Sequence, residues 1–298
     1  MVCGDTHGDI AHLRLLVRES RQLHADAIFV VGDFGFWEHQ QDGVEFLDTL
    51  DVMLMLAGTK LYFLDGNHDK TSLILAQYGH QVDDDGFHPV RERIFYSARG
   101  HRWTWRGWRF ISLGGAYSVD KDQRLGLEAH RAEKIRQANR YRSPDRRRSP
   151  DTAGLYWFPE EEMTDEALAK ILVDPTPVDI MLTHDMPRGA NPGTHFKTLA
   201  ECAPNQDRIQ LAATTLQPRL LVHGHLHMRY TDRVRIGDND RTMRVEGLSC
   251  NPSGARTTRY RADDSYLVLK LPHVESGHVP AIIANGETNP ILRAMGKV

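Results

Sequence analysis

The sequence predicts an α/β fold on a largely parallel sheet, and three observations carry that expectation. Short apolar runs alternate with stretches of helical spacing through the first third of the chain. The runs at 27–31 and 61–64 are continuously apolar, as expected of strands covered on both faces. Each run then breaks at a glycine followed by polar residues: Gly4-Asp5, Gly32-Asp33 and Gly66-Asn67. In such sheets, polar residues just past the carboxyl ends of strands line the ligand crevice.

Residues 1–3 form a very short first strand, because only four residues precede Asp5. Ile10, Leu13, Leu16, Val17 and Leu23 share one face of a helix over 10–24. Strand 27–31, a helix over 44–57 and strand 61–64 follow. Residues 103–108 and 109–113 read as paired strands around a turn near Gly107. At about 125–151 the composition shifts: arginine is frequent, and Arg-Ser-Pro-Asp occurs at 142–145 and again at 148–151. This stretch is expected to be an insertion in a single domain spanning 1–298, with a short helix over 126–141 and then a disordered loop. Order returns with a strand at 178–182, a helix over 208–215 and a strand at 220–222. Antiparallel strands at 230–236, 243–245 and 266–269 close the chain.

The 298 residues are 40% apolar and 26% charged, ordinary for a soluble globular enzyme. A net charge of -3 implies neither a dedicated nucleic-acid binder nor a membrane binder. Cys3, Cys202 and Cys250 are far apart and make no CxxC pair, so buried thiols in a reducing, cytoplasmic setting are expected. No signal peptide opens the chain and no apolar run reaches membrane-spanning length. Sixteen histidines, several beside Asp or Gly, are a first hint of a metal centre.

Five short motifs each follow a strand-like run: Asp5-x-His7, Gly32-Asp33, Gly66-Asn67-His68-Asp69, His184-Asp185 and Gly224-His225-x-His227. Each offers carboxylate, imidazole or amide ligands for a divalent cation. Strand alternation turns His225 and His227 the same way. His223 shares that face and is either a further ligand or a packing residue, the motif register favouring the later pair. Asp9 and Asp185 read as turn or supporting residues, and Asp69 as a capping or orienting one.

In this order the motifs resemble the calcineurin-like metallophosphoesterase family. The resemblance implies an α/β sandwich of two facing mixed sheets flanked by helices, with metals at one edge. It implies two divalent cations, Mn by expectation, with Fe, Zn or Ni as alternatives. Asp5, His7 and His227 would hold one, Asn67, His184 and His225 the other, and Asp33 both. The pair would clamp a phosphoester and generate the attacking hydroxide, with His68 as proton donor to the leaving oxygen.

The phosphoprotein phosphatases of this family carry a longer second motif, Gly-Asp-x-x-Asp-Arg-Gly. Here Phe36 and Trp37 replace its second Asp and its phosphate-binding Arg. An indole cannot supply a bidentate phosphate clamp. The substitution disfavours a protein Ser/Thr phosphatase and favours a phosphodiesterase acting on a nucleotide or nucleic acid, with phosphomonoesters as a further candidate substrate class. Phe34, Phe36 and Trp37 either stack a base or pack their own loop, with packing favoured. Residues 114–121 with Arg124 and 157–161 resemble a bacterial and bacteriophage subgroup. There Lys121 or Arg124 either replaces the lost Arg or is solvated charge. The arginine-rich stretch either attracts a polyanion or is a solvated loop, the latter favoured by sequence. A non-catalytic scaffold is disfavoured because all seven ligand positions and His68 are intact.

Overall fold

The computed structural model describes residues 1–36, 41–193, 199–237, 241–254, 261–272 and 283–284. Two six-stranded sheets face each other, with helices on the outer sides. The first contains β1 (Val2–Cys3), β2 (Ala27–Val31), β3 (Lys60–Leu64), β4 (His88–Pro89) and β5 (Ile94–Tyr96). The second contains β6 (Arg102–Trp105), β7 (Trp108–Leu113), β8 (Ile180–Thr183), β9 (Leu220–His223), β10 (Tyr230–Arg235) and β11 (Thr242–Gly247). β12 (Tyr266–Leu267) returns to the first sheet beside β1, giving the orders β12-β1-β2-β3-β5-β4 and β10-β11-β9-β8-β7-β6. In both sheets the four central strands are parallel and the two edges antiparallel.

Side-chain alternation sorts the core into three layers. Phe29, Val31, Tyr62 and Leu64 point between the sheets, where they meet Trp108, Phe110, Leu182 and Val222. Their neighbours Ile28, Val30, Leu61 and Phe63 point outward under α1 (Ile10–Gln22) and α2 (Gln41–Ala57). Met181 and Leu221 do the same on the second sheet, under α6 (Ala203–Leu216). The continuous apolar runs in the sequence are strands buried on both faces.

Several elements differ from expectation. α3 (Thr71–Tyr78) and α5 (Asp165–Ile171) are new, and α6 starts five residues before 208. β11 pairs antiparallel with β10 but parallel with β9, because the β10–β11 hairpin folds back along the sheet. α4 (Lys121–Asn139) begins five residues before the helix expected from 126. The chain after it is tethered. The Asn139 side chain donates to the Arg148 carbonyl (2.7 Å) and accepts from its N–H (3.0 Å). Residues 37–40, with Trp37, lie outside the described residues.

Asp65, just past β3, is fully buried. Its carboxylate accepts from Tyr96 Oη (2.7 Å) and Arg99 Nε (2.8 Å). The Arg99 guanidinium goes on to the carbonyls of Glu160 and Glu162. One ion pair thus ties the first sheet to the chain that follows α4. Removing one partner strands a buried charge, so Asp65→Ala should lower unfolding free energy by about 3–5 kcal/mol. Urea denaturation checks this, and a loss under about 1 kcal/mol would show that the pair does not brace the fold.

Candidate metal centre

The parallel strands of both sheets end at one edge, and the five motifs lie there. Asp5 follows β1, Asp33 follows β2 and Asn67 follows β3; His184 follows β8, and His225 and His227 follow β9. The loops are strained: His7 (φ 46), Asp33 (φ 47), His225 (φ 63) and His227 (φ 55) all occupy left-handed backbone. Only three other non-glycine residues among those described do so, and strain of this kind concentrates at functional sites. Two glycines permit the close approach. A Cβ on Gly66 would lie 2.0 Å from Asp33 Oδ1, and one on Gly224 would lie 2.1 Å from Asp5 Oδ1.

Asp5, His7, Asp33 and His227 each present one ligand atom, all within 4.8 Å of one another. The imidazole tautomers follow from their far nitrogens. His7 Nδ1 donates to Asn251 Oδ1 (2.9 Å), His227 Nδ1 to the Gly254 carbonyl (2.9 Å), and His184 Nδ1 to the Val31 carbonyl (2.8 Å). Each Nε2 lone pair therefore faces another acceptor. His227 Nε2 is 3.0 Å from Asp5 Oδ2, and His7 Nε2 is 3.5 Å from Asp33 Oδ2. His184 Nε2 lies 3.5 Å from Asp33 Oδ1 and 3.0 Å from Asn67 Oδ1. Lone pairs facing carboxylates repel unless a proton or a cation lies between them. Asp5 Oδ2 is also buried without a well-aligned hydrogen bond. This donor set fits divalent cations.

Asp33 stands between two halves. Its Oδ2 faces His7, its Oδ1 faces His184, and its Oδ1 also accepts the His68 backbone N–H at 2.9 Å. His225 packs against His184 at 5.0 Å between ring centres, and its N–H donates to Asp5 Oδ1 (2.9 Å). The His68 ring is half-exposed at the edge, with Nε2 4.0 Å from Asp33 Oδ2.

The family model for calcineurin-like phosphoesterases matches residues 1–229. The chain belongs to that family. A search of curated proteins found no match. Among solved structures it is similar to TT1561 of Thermus thermophilus, at 16% identity and a TM-score of 0.43, covering 84% of this chain and 88% of that one. It is also similar to a dimetal phosphatase from Danio rerio, at 15% identity and a TM-score of 0.42, covering 82% of this chain and 78% of that one. As a calcineurin-like phosphoesterase with this ligand cluster, the protein is a metal-dependent phosphoester hydrolase.

Other polar residues of this phosphoesterase support the centre without reaching it. Asp69 accepts the backbone N–H groups of Phe34, Gly35, Phe36 and Gly66 at 3.0–3.1 Å, stapling the loop after Asp33 to the loop after β3. Burial and the nearby Asp33 push its pKa up, and the Gly66, Phe36 and Gly35 donors oppose the rise. Asp9 caps α1. Asp185 accepts from Met186 N–H and Asn205 Nδ2, and His223 contacts Tyr230 Oη at 2.6 Å. Asn251 was invisible as a site residue in the sequence, whereas Ser118 and Glu161 lie in the segments 114–121 and 157–161 that the subgroup resemblance picked out, without individual roles. Asn251 lies 244 positions from His7, and nothing in its spacing marks it.

Phe34 and Phe36 are fully buried, stacking on Phe63 at 4.4 and 6.5 Å. Lys121 Nζ lies over the Trp157 ring at 4.2 Å. Arg124 is buried: it pairs with Glu161 at 2.7 Å and donates to Ser118 Oγ (2.8 Å) and to the Tyr156 carbonyl (2.6 Å). Ser118 donates to Glu161 and accepts from Asn67 Nδ2 (3.0 Å), so Arg124 fixes the amide of a candidate ligand through Ser118. Burial raises the Glu161 carboxyl to about 7, yet the guanidinium keeps its Ser118 and Tyr156 contacts in either protonation state.

Without metal, burial lowers the imidazole pKa values, and takes His225 down to about 3; at three other rings the nearby acidic groups more than offset it. His7 rises to about 9, His184 to about 10 and His227 to about 11. These rings therefore hold protons at neutral pH, and a cation must displace them. Mn binding to the apo-protein should release protons at pH 7, and affinity should rise with pH. Calorimetry in buffers of different ionisation enthalpy measures the release. Zero net proton exchange would mean that the rings are already neutral.

Proposed function

We propose that this protein hydrolyses phosphodiesters of nucleotide or nucleic-acid type at a dinuclear centre, with Mn as the working metal. In this reading Asp5, His7 and His227 would hold one cation, Asn67, His184 and His225 the second, and Asp33 would be a ligand to both. When bound, the two cations supply charge neutralisation of the phosphoryl oxygens and an activated water. The protein's own residues position and protonate. Asp33 is held by the His68 N–H, and the His68 ring at the edge donates a proton to the leaving oxygen.

The observation that favours a diester is the state of Arg124. A cavity of about 460 Å³ opens beside His68, walled by Phe36, Lys70, Arg124, Tyr156 and Phe158. Arg124 is the one guanidinium on its wall among the described residues, and it is paired with Glu161. Lys70 donates to the Gly154 carbonyl at 2.8 Å. A phosphomonoester dianion would meet no unpaired guanidinium clamp there, whereas a diester monoanion needs less charge and its second ester group packs on aromatic walls.

Two measurements test this reading. With Mn, kcat/KM should be higher for bis-p-nitrophenyl phosphate and a cyclic nucleotide than for a phosphoserine peptide. A preference for the peptide would restore the protein phosphatase, and turnover surviving complete chelation would remove the metal mechanism. His68→Ala should keep its metal content and lose roughly 10²–10⁴ in rate on substrates with poor leaving groups. The Asp33 contact persists because it comes from the backbone. The loss should shrink with p-nitrophenolate, which needs no proton. An equal loss on both would make His68 a phosphate-positioning group instead.

A further inference from the structure

We infer that the arginine-rich arm formed by α4 and the loop behind it is a docking surface for single-stranded nucleic acid. Charge is the first ground. Residues 131–148 carry eight Lys and Arg against two acids, on a chain whose net charge is -3. General basicity does not explain that concentration. Local pairing neutralises little of it: Arg136 meets Glu133 at 3.4 Å and Arg146 meets Asp145 at 3.9 Å. Lys134, Arg142 and Arg148 have no carboxylate partner among the described residues.

Shape is the second ground. Arg131, Lys134, Arg142 and Arg148 converge on a cavity of about 450 Å³, in which Asp151 is the single carboxylate. Its far wall is fixed by the paired bonds between Asn139 and the Arg148 backbone, and by Thr152 Oγ1 donating to the Glu128 carbonyl at 2.8 Å. Like charges gathered in a braced concavity repel one another. A bound anion relieves that repulsion, and phosphate suits a cluster rich in guanidinium.

The third ground selects the partner. Tyr141 is 90% exposed and lies between Arg140 and Arg142. An aromatic face among unpaired cations is the combination that holds unstacked bases and the backbone beside them. An acidic protein would engage the cations but has no systematic use for the ring, and a duplex hides its base faces. The arm also leads to the candidate centre. Leu155 lines both this cavity and the one beside His68, and Arg124, in the first turn of α4, shares Ser118 with Asn67. Only delivery of a phosphodiester to the metals rests on the proposed function; docking does not.

Fluorescence anisotropy of a labelled oligothymidylate with the full chain, in EDTA, measures docking alone. The triple variant Lys134→Ala, Arg142→Ala, Arg148→Ala should bind more weakly. Its plot of log affinity against log salt should be shallower by about 2, at roughly 0.7 for each phosphate no longer neutralised. Tyr141→Ala should weaken binding roughly 5-fold or more, and Tyr141→Phe should restore it. Neither variant should change turnover of bis-p-nitrophenyl phosphate with Mn, which also reports that both fold. Unchanged affinity and salt slope in the triple variant would overturn the proposal. So would equal binding of a duplex with no effect of Tyr141→Ala, or displacement of the oligonucleotide by polyglutamate of equal charge. Docking as expected without hydrolysis of the oligonucleotide would uphold this surface and count against the proposed function instead.

Discussion

Two carboxylates with almost no solvent, Asp5 and Asp33, face imidazole lone pairs at the junction of two sheets, and the rest of the structure answers to that arrangement. Burial and mutual repulsion would raise Asp5, yet His227 and His184 hold it at about 2. Asp33 is likewise drawn well below the usual carboxylate range, against burial, by His184 and His68. Such a site is stable only with positive charge inside it. Protons supply that charge in the free protein and divalent cations replace them, so the same geometry that makes the apo-site strongly basic makes it a metal site.

Holding the groups there has a conformational cost. Four candidate ligands sit in left-handed backbone, at roughly 1 kcal/mol or more each, which is a large fraction of a typical folding free energy. The compensation comes from what surrounds them. Asp69 receives four backbone donors from two loops at once, and Asn251 ties His7 to Asp9 by accepting from one and donating to the other. The parallel strands contribute by aiming every loop at the same edge, so that residues from 5 to 227 converge without long side chains. Short ligands on stiff strand ends keep their positions better than long ones on free loops.

What the sequence made legible follows from periodicity and from order along the chain. Strands at 27–31 and 61–64 are apolar at every position because both faces are covered, and the five motifs read directly because each lies within a few residues of a strand end. What it hid depends on contacts across long separations. Nothing local distinguishes Asn251 from other polar residues; Glu161 lies in the segment 157–161 that the resemblance picked out, but only the folded chain puts it against Ser118 and puts Asn251 against His7. α3 escaped because its apolar run, Leu73 to Ala76, shows no clear helical periodicity. α4 escaped at its start because Lys121 and Arg124 read as either phosphate-binding or solvated charge, whereas Arg124 is buried against Glu161. The strands β10 and β11 read as antiparallel in the sequence, but the parallel seating of β11 on β9 is a property of the sheet.

Arg124 also explains how a basic arm can belong to this protein without spoiling its centre. A free guanidinium next to the metal ligands would compete with the cations for Asp33 and bind product phosphate tightly. Pairing it with Glu161 removes that competition and turns the residue into a brace that fixes Ser118 and, through it, the Asn67 amide. The unpaired cations are displaced outward along α4, whose 19 residues span about 28 Å. Charge is thus divided by location: paired where catalysis needs a cation site free of rivals, unpaired where an anionic chain would first be met.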